Sequence, residues 1–252
     1  MTRKYSRAPL VEAVFEFAPL DAKFDGAAAK RLDDRFQGDY SGRRDELLGT
    51  PFSIEYKDGN PVLGNPPEPF IRYRRWNSTE TCLIQFSMDL CAFNALKPYT
   101  HFEDYLPTME QFFRAFSTES NAQRTLFLGQ RYINRIILPS KDEPATDYFR
   151  FYPKFNETSK VDHRPFSLNI QIETLPGESQ GRVMLTLVFQ GFEENKPVYI
   201  LDLYAQTPKS PFIAFDWESV SKWQRNAHIP IENAFNSALT AKGQDFFGLE
   251  EE

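Results

Sequence analysis

Apolar and polar residues alternate over residues 8–17, APLVEAVFEF, with Val11, Ala13, Phe15 and Phe17 on one face and Leu10, Glu12, Val14 and Glu16 on the other. A period of two marks a half-buried strand, so a strand is predicted with both carboxylates on one side. The period then changes. Residues 24–36, FDGAAAKRLDDRF, set Phe24, Ala27, Ala28, Leu32 and Phe36 at helical spacing, which predicts a short amphipathic helix that dissolves in QGDYSGRRDE.

Strand patterns return in PFSIEYKDGNPVLG, a hairpin-like pair around Asp58-Gly59, and in FIRYRRW and TETCLIQFSMDLCAF, joined by the turn-forming Asn77-Ser78. In the last stretch Cys82, Ile84, Phe86, Met88, Leu90 and Ala92 alternate inward and predict one long central strand. Residues 101–116 read as a helix with Pro107 near its start or at a kink.

The second half repeats this order. RTLFLGQRYINRIILP is another long strand, and SLNIQIET, GRVMLTLVFQG and PVYILDLYAQ form a meander with PGESQG and FEENKP as turns. WESVSKWQRNAHIPIENAFNSALTAKGQDFFG predicts a helical region interrupted near Pro230. Residues 139–165 form a charged, Pro-rich loop whose aromatic YFRFYPKF predicts packing on the body or capping of a groove. The expected class is α+β: two similar halves, each an antiparallel β-meander with a packed helix. They fall at residues 1–120 (β-α-βββ-α) and 121–252 (β-βββ-α), as two units or as a single fused domain with one continuous curved sheet.

At 252 residues, 41% hydrophobic and 15% aromatic, the chain can bury one large core or two fused ones. Its net charge of −6 removes any whole-molecule attraction to phosphate backbones or anionic lipid. Cys82 and Cys91 sit at opposite parity and read as free thiols in a reducing compartment. No apolar run has bilayer-spanning length and MTRKYSRAPL has no apolar leader core, so a cytoplasmic location without membrane contact is expected. The sequons at Asn77 and Asn156 then carry no meaning.

The chain has no Gly-rich phosphate loop, G-x-S-x-G, H-E-x-x-H, C-x-x-C or dinucleotide fingerprint, so no catalytic residue, cofactor or metal is assigned. His101, His163 and His228 are isolated in sequence. His228 and Glu232, four apart, would share a helical face suited to metal or acid/base work, but Pro230 between them points to a helix restart.

Three arginine-bearing patterns remain. Phe70, Arg72, Arg74 and Trp76 share a face of the kind that stacks single-stranded bases, although in an acidic protein arginines paired with carboxylates on neighbouring strands are favoured. Arg131 and Arg135 share a face of the second long strand and match Glu12 and Glu16 in spacing. If the two long strands pair antiparallel, the four form an ionic ladder joining the halves; the alternative is a polar cleft floor for a charged ligand.

PLVEAVFEF, LGQRYINRI and AHIPIENAFNSALTAKGQDFFG together resemble, in order and spacing and over the whole chain, a sporadically distributed, uncharacterised prokaryotic protein family of about this length. Glu12, Glu16, Arg131, Asn134, Arg135, His228 and Phe235 are positions within those motifs, and the leucine of SALT departs from the β-branched residue expected there. The resemblance implies no catalytic residues. Sporadic occurrence is typical of genes that move between bacteria, including toxin-antitoxin and phage-defence modules.

The expected function is therefore a non-catalytic component, antitoxin-like or a phage-defence accessory, that binds another protein. The alternative is a nucleotide or RNA sensor on the arginine and aromatic face, and a homo-oligomer is compatible with both. Candidate contacts are Arg72, Arg74, Trp76, Glu12, Glu16, Arg131, Arg135 and His228. An enzymatic reading would use Glu12, Glu16 or His228 as acid/base groups, but paired carboxylates alone specify no reaction.

Overall fold

The alternation over residues 8–17 becomes a strand that lies in the middle of a nine-stranded sheet. The computed structural model describes residues 4–49, 54–57, 60–63, 70–87, 90–153, 165–175, 181–208 and 213–250. In the first half these form β1 (Lys4–Tyr5), β2 (Leu10–Pro19), α1 (Gly26–Phe36), β3 (Arg44–Gly49), β4 (Ile54–Lys57), β5 (Asn60–Leu63), β6 (Phe70–Trp76), β7 (Cys82–Phe86), β8 (Cys91–Leu96) and α2 (Phe102–Ser120). The second half contributes β9 (Thr125–Ile137), β10 (Ser167–Leu175), β11 (Gly181–Glu193), β12 (Lys196–Gln206), α3 (Trp217–Ala238), α4 (Ala241–Phe246) and β13 (Leu249–Glu250).

The sheet runs β10-β11-β12-β9-β2-β8-β7-β6-β3 with every neighbouring pair antiparallel. In each half the long first strand pairs with the last strand of the following meander, β2 with β8 and β9 with β12, and the two long strands then pair with each other. The fold is α+β, and both halves contribute to one continuous sheet. Two small pairings lie outside it, β1 with β13 and β4 with β5; the Asp58-Gly59 turn between the latter strands lies outside the described residues.

One face of the sheet carries the core. Ala13, Phe15, Phe17, Phe93, Leu128, Leu201 and Leu203 are buried there beneath Phe112, Phe113 and Phe116 of α2 and Val220, Trp223 and Ile231 of α3. The helix of residues 24–36 begins at Gly26, where the Asp25 carboxylate accepts from Ala28 N at 2.8 Å and caps an orphan donor.

Two expectations about the strands are corrected. The stretch with Cys82, Ile84 and Phe86 turns back after Ser87, whose N–H donates to Leu90 O at 2.8 Å, so β7 and β8 form a hairpin instead of one strand. The inward parity flips across that turn, from Ile84 and Phe86 to Cys91, Phe93 and Ala95, so an even-numbered alternation could not continue. Cys82 and Cys91 are both free. In β2, a register shift between Leu10 and Glu12 turns Leu10 toward the core while Glu12 faces away from it.

The helices run through both prolines: Pro107 lies inside α2 and Pro230 inside α3. An interior proline costs about 3 kcal/mol, whereas full burial of Trp223 and Ile231 alone contributes about 3 to 6 kcal/mol. The inward stripe Val220, Trp223, Ala227, Ile231 and Ala234 therefore holds α3 together across Pro230.

The described part of the loop after β9 packs on the body. Phe149 bridges to Leu239, Arg150 N donates to Ala238 O at 2.8 Å, and Tyr148 and Phe149 are buried. Its remainder from residue 154 to 164 lies outside the described residues. Among the described residues no helix is long and apolar enough to cross a membrane.

Candidate functional site

A cleft of about 850 Å³ opens where the central strands meet the ends of the chain, and its walls come from segments far apart in sequence. Period two along β9 sends Gln130, Tyr132, Asn134 and Ile136 to the helix side, where all four are buried. Because α3 is continuous through Pro230, His228 and Glu232 stand one turn apart on one face and His228 reaches Tyr132. Tyr5 and Phe235 form an aromatic wall, with ring centroids 5.5 Å apart and the Tyr5 hydroxyl donating to Asn236 Oδ1 at 2.6 Å.

The floor is a chain of hydrogen bonds. Glu232 Oε1 lies 3.2 Å from His228 Nε2, and His228 Nδ1 lies 2.6 Å from the Tyr132 hydroxyl. That hydroxyl accepts from Gln130 Nε2 at 3.1 Å and lies 3.3 Å from the Tyr99 hydroxyl. Phe102 stacks on the imidazole at 4.9 Å and 19°, fixing the ring plane. Burial pushes both the Tyr132 and Tyr99 phenols well above their ordinary values, so the chain is built of neutral hydroxyls. Lys97, His101, Asp104, Arg7 and Glu250 complete the lining, with the backbone N–H of His101 donating to Asp104 Oδ2 at 3.3 Å.

Of the sequence-derived candidates, only His228 lies here. Glu12, Glu16, Arg131 and Arg135 lie on the opposite face of the sheet. The predicted antiparallel pairing of the two long strands is present, but its register sets Val14 opposite Arg131 and Glu16 opposite Gly129. The four do not form the expected ladder, because each charge has a nearer partner. Glu12 accepts from Asn94 Nδ2 at 2.6 Å, and Gln85 Nε2 donates to Asn94 Oδ1 at 2.9 Å. Arg131 grips Asp202 with Nε at 2.9 Å and a terminal nitrogen at 2.5 Å, and Arg135 pairs with Glu193.

Glu16 accepts from the Tyr204 hydroxyl at 2.7 Å, a contact that reaches from β12 to β2 across the intervening β9. Gly129 makes the crossing, since a Cβ there would stand 2.5 Å from Glu16 Oε2 and 2.8 Å from the Tyr204 hydroxyl. Burial, and then the Glu16 carboxylate beside it, push the Tyr204 phenol far up.

Arg72, Arg74 and Trp76 fall on one face of β6, as expected, but the indole is only 3% exposed. The guanidiniums of Arg43 and Arg74 lie over it at 3.8 and 4.7 Å from the ring centroid, and Arg74 is 3.8 Å from Asp45 on β3. A nucleobase would have to displace the chain's own cations from that ring. Arg75, of the other parity, is buried against α1 with Nε 2.6 Å from Asp33 Oδ1.

Sequence reasoning missed Tyr99, and passed over Gln130 and Tyr132 although both lie within LGQRYINRI. The spacing of four between His228 and Glu232 was the signal in the sequence, and Pro230 argued against it. His163 lies outside the described residues. Among the described residues no three His, Cys, Asp or Glu side chains converge as a metal set, and the His228 nitrogens are both engaged by Glu232 and Tyr132. No family model matches the chain, and no curated protein matches it.

Proposed function

We propose that the chain is a non-catalytic cytoplasmic binding protein that takes a small, polar, ring-bearing molecule in the cleft between β9, α3 and the β1–β13 pair. The observation that carries this reading is the Tyr99–Tyr132–His228–Glu232 chain, which links the half-buried Glu232 carboxylate to the Tyr99 hydroxyl along the floor of an aromatic-walled cleft. A concave site with an aromatic wall and a few convergent polar groups is the usual form of a small-molecule pocket. Tyr132, the hydroxyl nearest a base, is 7% exposed and accepts from Gln130, which suits positioning and not nucleophilic attack.

Native mass spectrometry of the protein purified from its own host tests this reading. A retained small molecule is expected on the wild type and not on Thr100→Trp, which places an indole at the exposed rim of the cleft. If the two proteins carry the same bound mass, or neither carries any, the reading is wrong.

A second observation favours another protein as the partner through which such binding acts, as in an antitoxin-like or defence-accessory role. Among the described residues β3 ends the sheet, and Leu47 and Leu48 on it and Ile71 on the neighbouring β6 are exposed at 46, 68 and 43%. A terminal strand with exposed apolar residues is a template for strand addition by a partner. Affinity purification from the native host, compared between wild type and Leu48→Lys, should return one stoichiometric protein that the variant loses. Identical partners on both, or none on either, argue against it.

A further inference from the structure

We infer that the molecule selected by the cleft presents an N–H or O–H donor to the Tyr99 hydroxyl oxygen, an inference that rests on the cleft being a ligand site. It follows from counting protons along the chain, beginning at the carboxylate. Glu232 can only accept, so His228 Nε2, 3.2 Å away, carries a proton. A neutral imidazole has one N–H, which leaves Nδ1 as an acceptor. The single proton of Tyr132 is then committed to Nδ1 at 2.6 Å.

With its proton spent, the Tyr132 oxygen can only accept, and it does so from Gln130 Nε2 at 3.1 Å. The Tyr99 hydroxyl, 3.3 Å away, completes it by donating as well. Tyr99 thus has no proton left for the cleft and offers only lone pairs. Each hydroxyl has one proton, so the tautomer fixed by Glu232 sets the hydrogen-bond polarity at the far end.

A ligand carbonyl, ether or carboxylate set against Tyr99 would face acceptor with acceptor and lose its hydration without compensation. A ligand hydroxyl or amine would not. The expected preference for a donor is about tenfold or more in Kd.

Protonation of the imidazole reverses the chain. Nδ1 then donates to Tyr132, Tyr132 to Tyr99, and Tyr99 into the cleft. The groups facing His228 are Glu232 from its own helix, Tyr132 from β9, Tyr99 from the segment before α2 and the uncharged Phe102 ring from α2. Lys97, His101, Asp104, Arg7 and Glu250 line the same cleft.

Two measurements test the inference. The first is ¹⁵N NMR of His228 in the wild type at neutral pH, assigned with His101→Gln and His163→Gln. A protonated Nε2 with a bare Nδ1 is expected, and a protonated Nδ1 overturns the polarity. The second titrates p-cresol and 4-methylanisole, in which a methyl group replaces the phenolic proton, into wild type and Tyr99→Phe. p-Cresol should bind wild type about tenfold more tightly than its methyl ether, with the difference lost in Tyr99→Phe. Equal binding of the two probes to wild type overturns the polarity and leaves the cleft reading standing. Failure of both probes to bind removes the cleft reading and the inference with it.

Discussion

Gly129→Ala is expected to destabilise the protein, although in an ordinary strand the same change is favourable. The new methyl would stand 2.5 Å from Glu16 Oε2, 2.8 Å from the Tyr204 hydroxyl and 3.0 Å from its Cε2, all well inside van der Waals contact. Relief requires Tyr204 or Glu16 to withdraw, which breaks the 2.7 Å hydrogen bond between them. A hydrogen bond to a charged group contributes about 1.5 to 3 kcal/mol, and replacing glycine within a strand returns about 0.5 to 1 kcal/mol.

The net cost is therefore about 1 to 2 kcal/mol, or a fall of about 2 to 8 °C in Tm for a chain of this size. Denaturant unfolding of wild type, Gly129→Ala, Tyr204→Phe and the double variant would measure it. With the hydroxyl gone, the alanine should cost little, so the cycle should show a coupling of about 1 kcal/mol or more. A Gly129→Ala protein as stable as wild type, or additive with Tyr204→Phe, would refute the reasoning.

Two further outcomes follow from the same geometry. Pro107→Ala should raise stability by about 1 to 2 kcal/mol, because the exposed Pro107 lies inside α2 and withholds an interior hydrogen bond, partly offset by the looser unfolded chain; an unchanged or lower Tm counts against that account. The Glu143 carboxylate is held below its ordinary value, first by the hydrogen bond from Lys242 and then by the Tyr148 hydroxyl. Its contribution to stability is complete above about pH 4.5 and is lost as pH falls through the lowered value. The Tm gap between wild type and Glu143→Gln should stay level above about pH 5 and close below about pH 4, and a gap of constant size down to pH 3 would contradict the assignment.

The elements set by local periodicity were legible in the sequence, and those decided by competition were not. The period-two runs of β2 and β9 and the helix after Asp25 survive in the fold. The hairpin at Ser87 was hidden because residues on both parities of β8 are buried in the middle of a wide sheet, which leaves the buried Asn94 as the single polar position in β8 to show the flip. Pro230 reads as a break because its local penalty does not include the packing of Trp223 and Ile231 that overrides it. The cleft was invisible for a different reason. Tyr99, Tyr132 and His228 are brought together only by the pairing of strands and the docking of α3, and no short window contains them.

The pairing of β2 with β9 joins equivalent strands of the two halves in antiparallel register. That is the contact a two-fold axis generates between identical subunits, because each strand meets its own counterpart running the other way. A half-length chain with the same strand order would carry a self-complementary edge at its long first strand, open to a second copy. In the full chain the counterpart is covalently attached, so this edge is satisfied at an effective concentration that does not depend on how much protein is present. The two sides of the seam carry different side chains: Glu12 on β2 is held by an asparagine, and Arg131 on β9 is held by an aspartate.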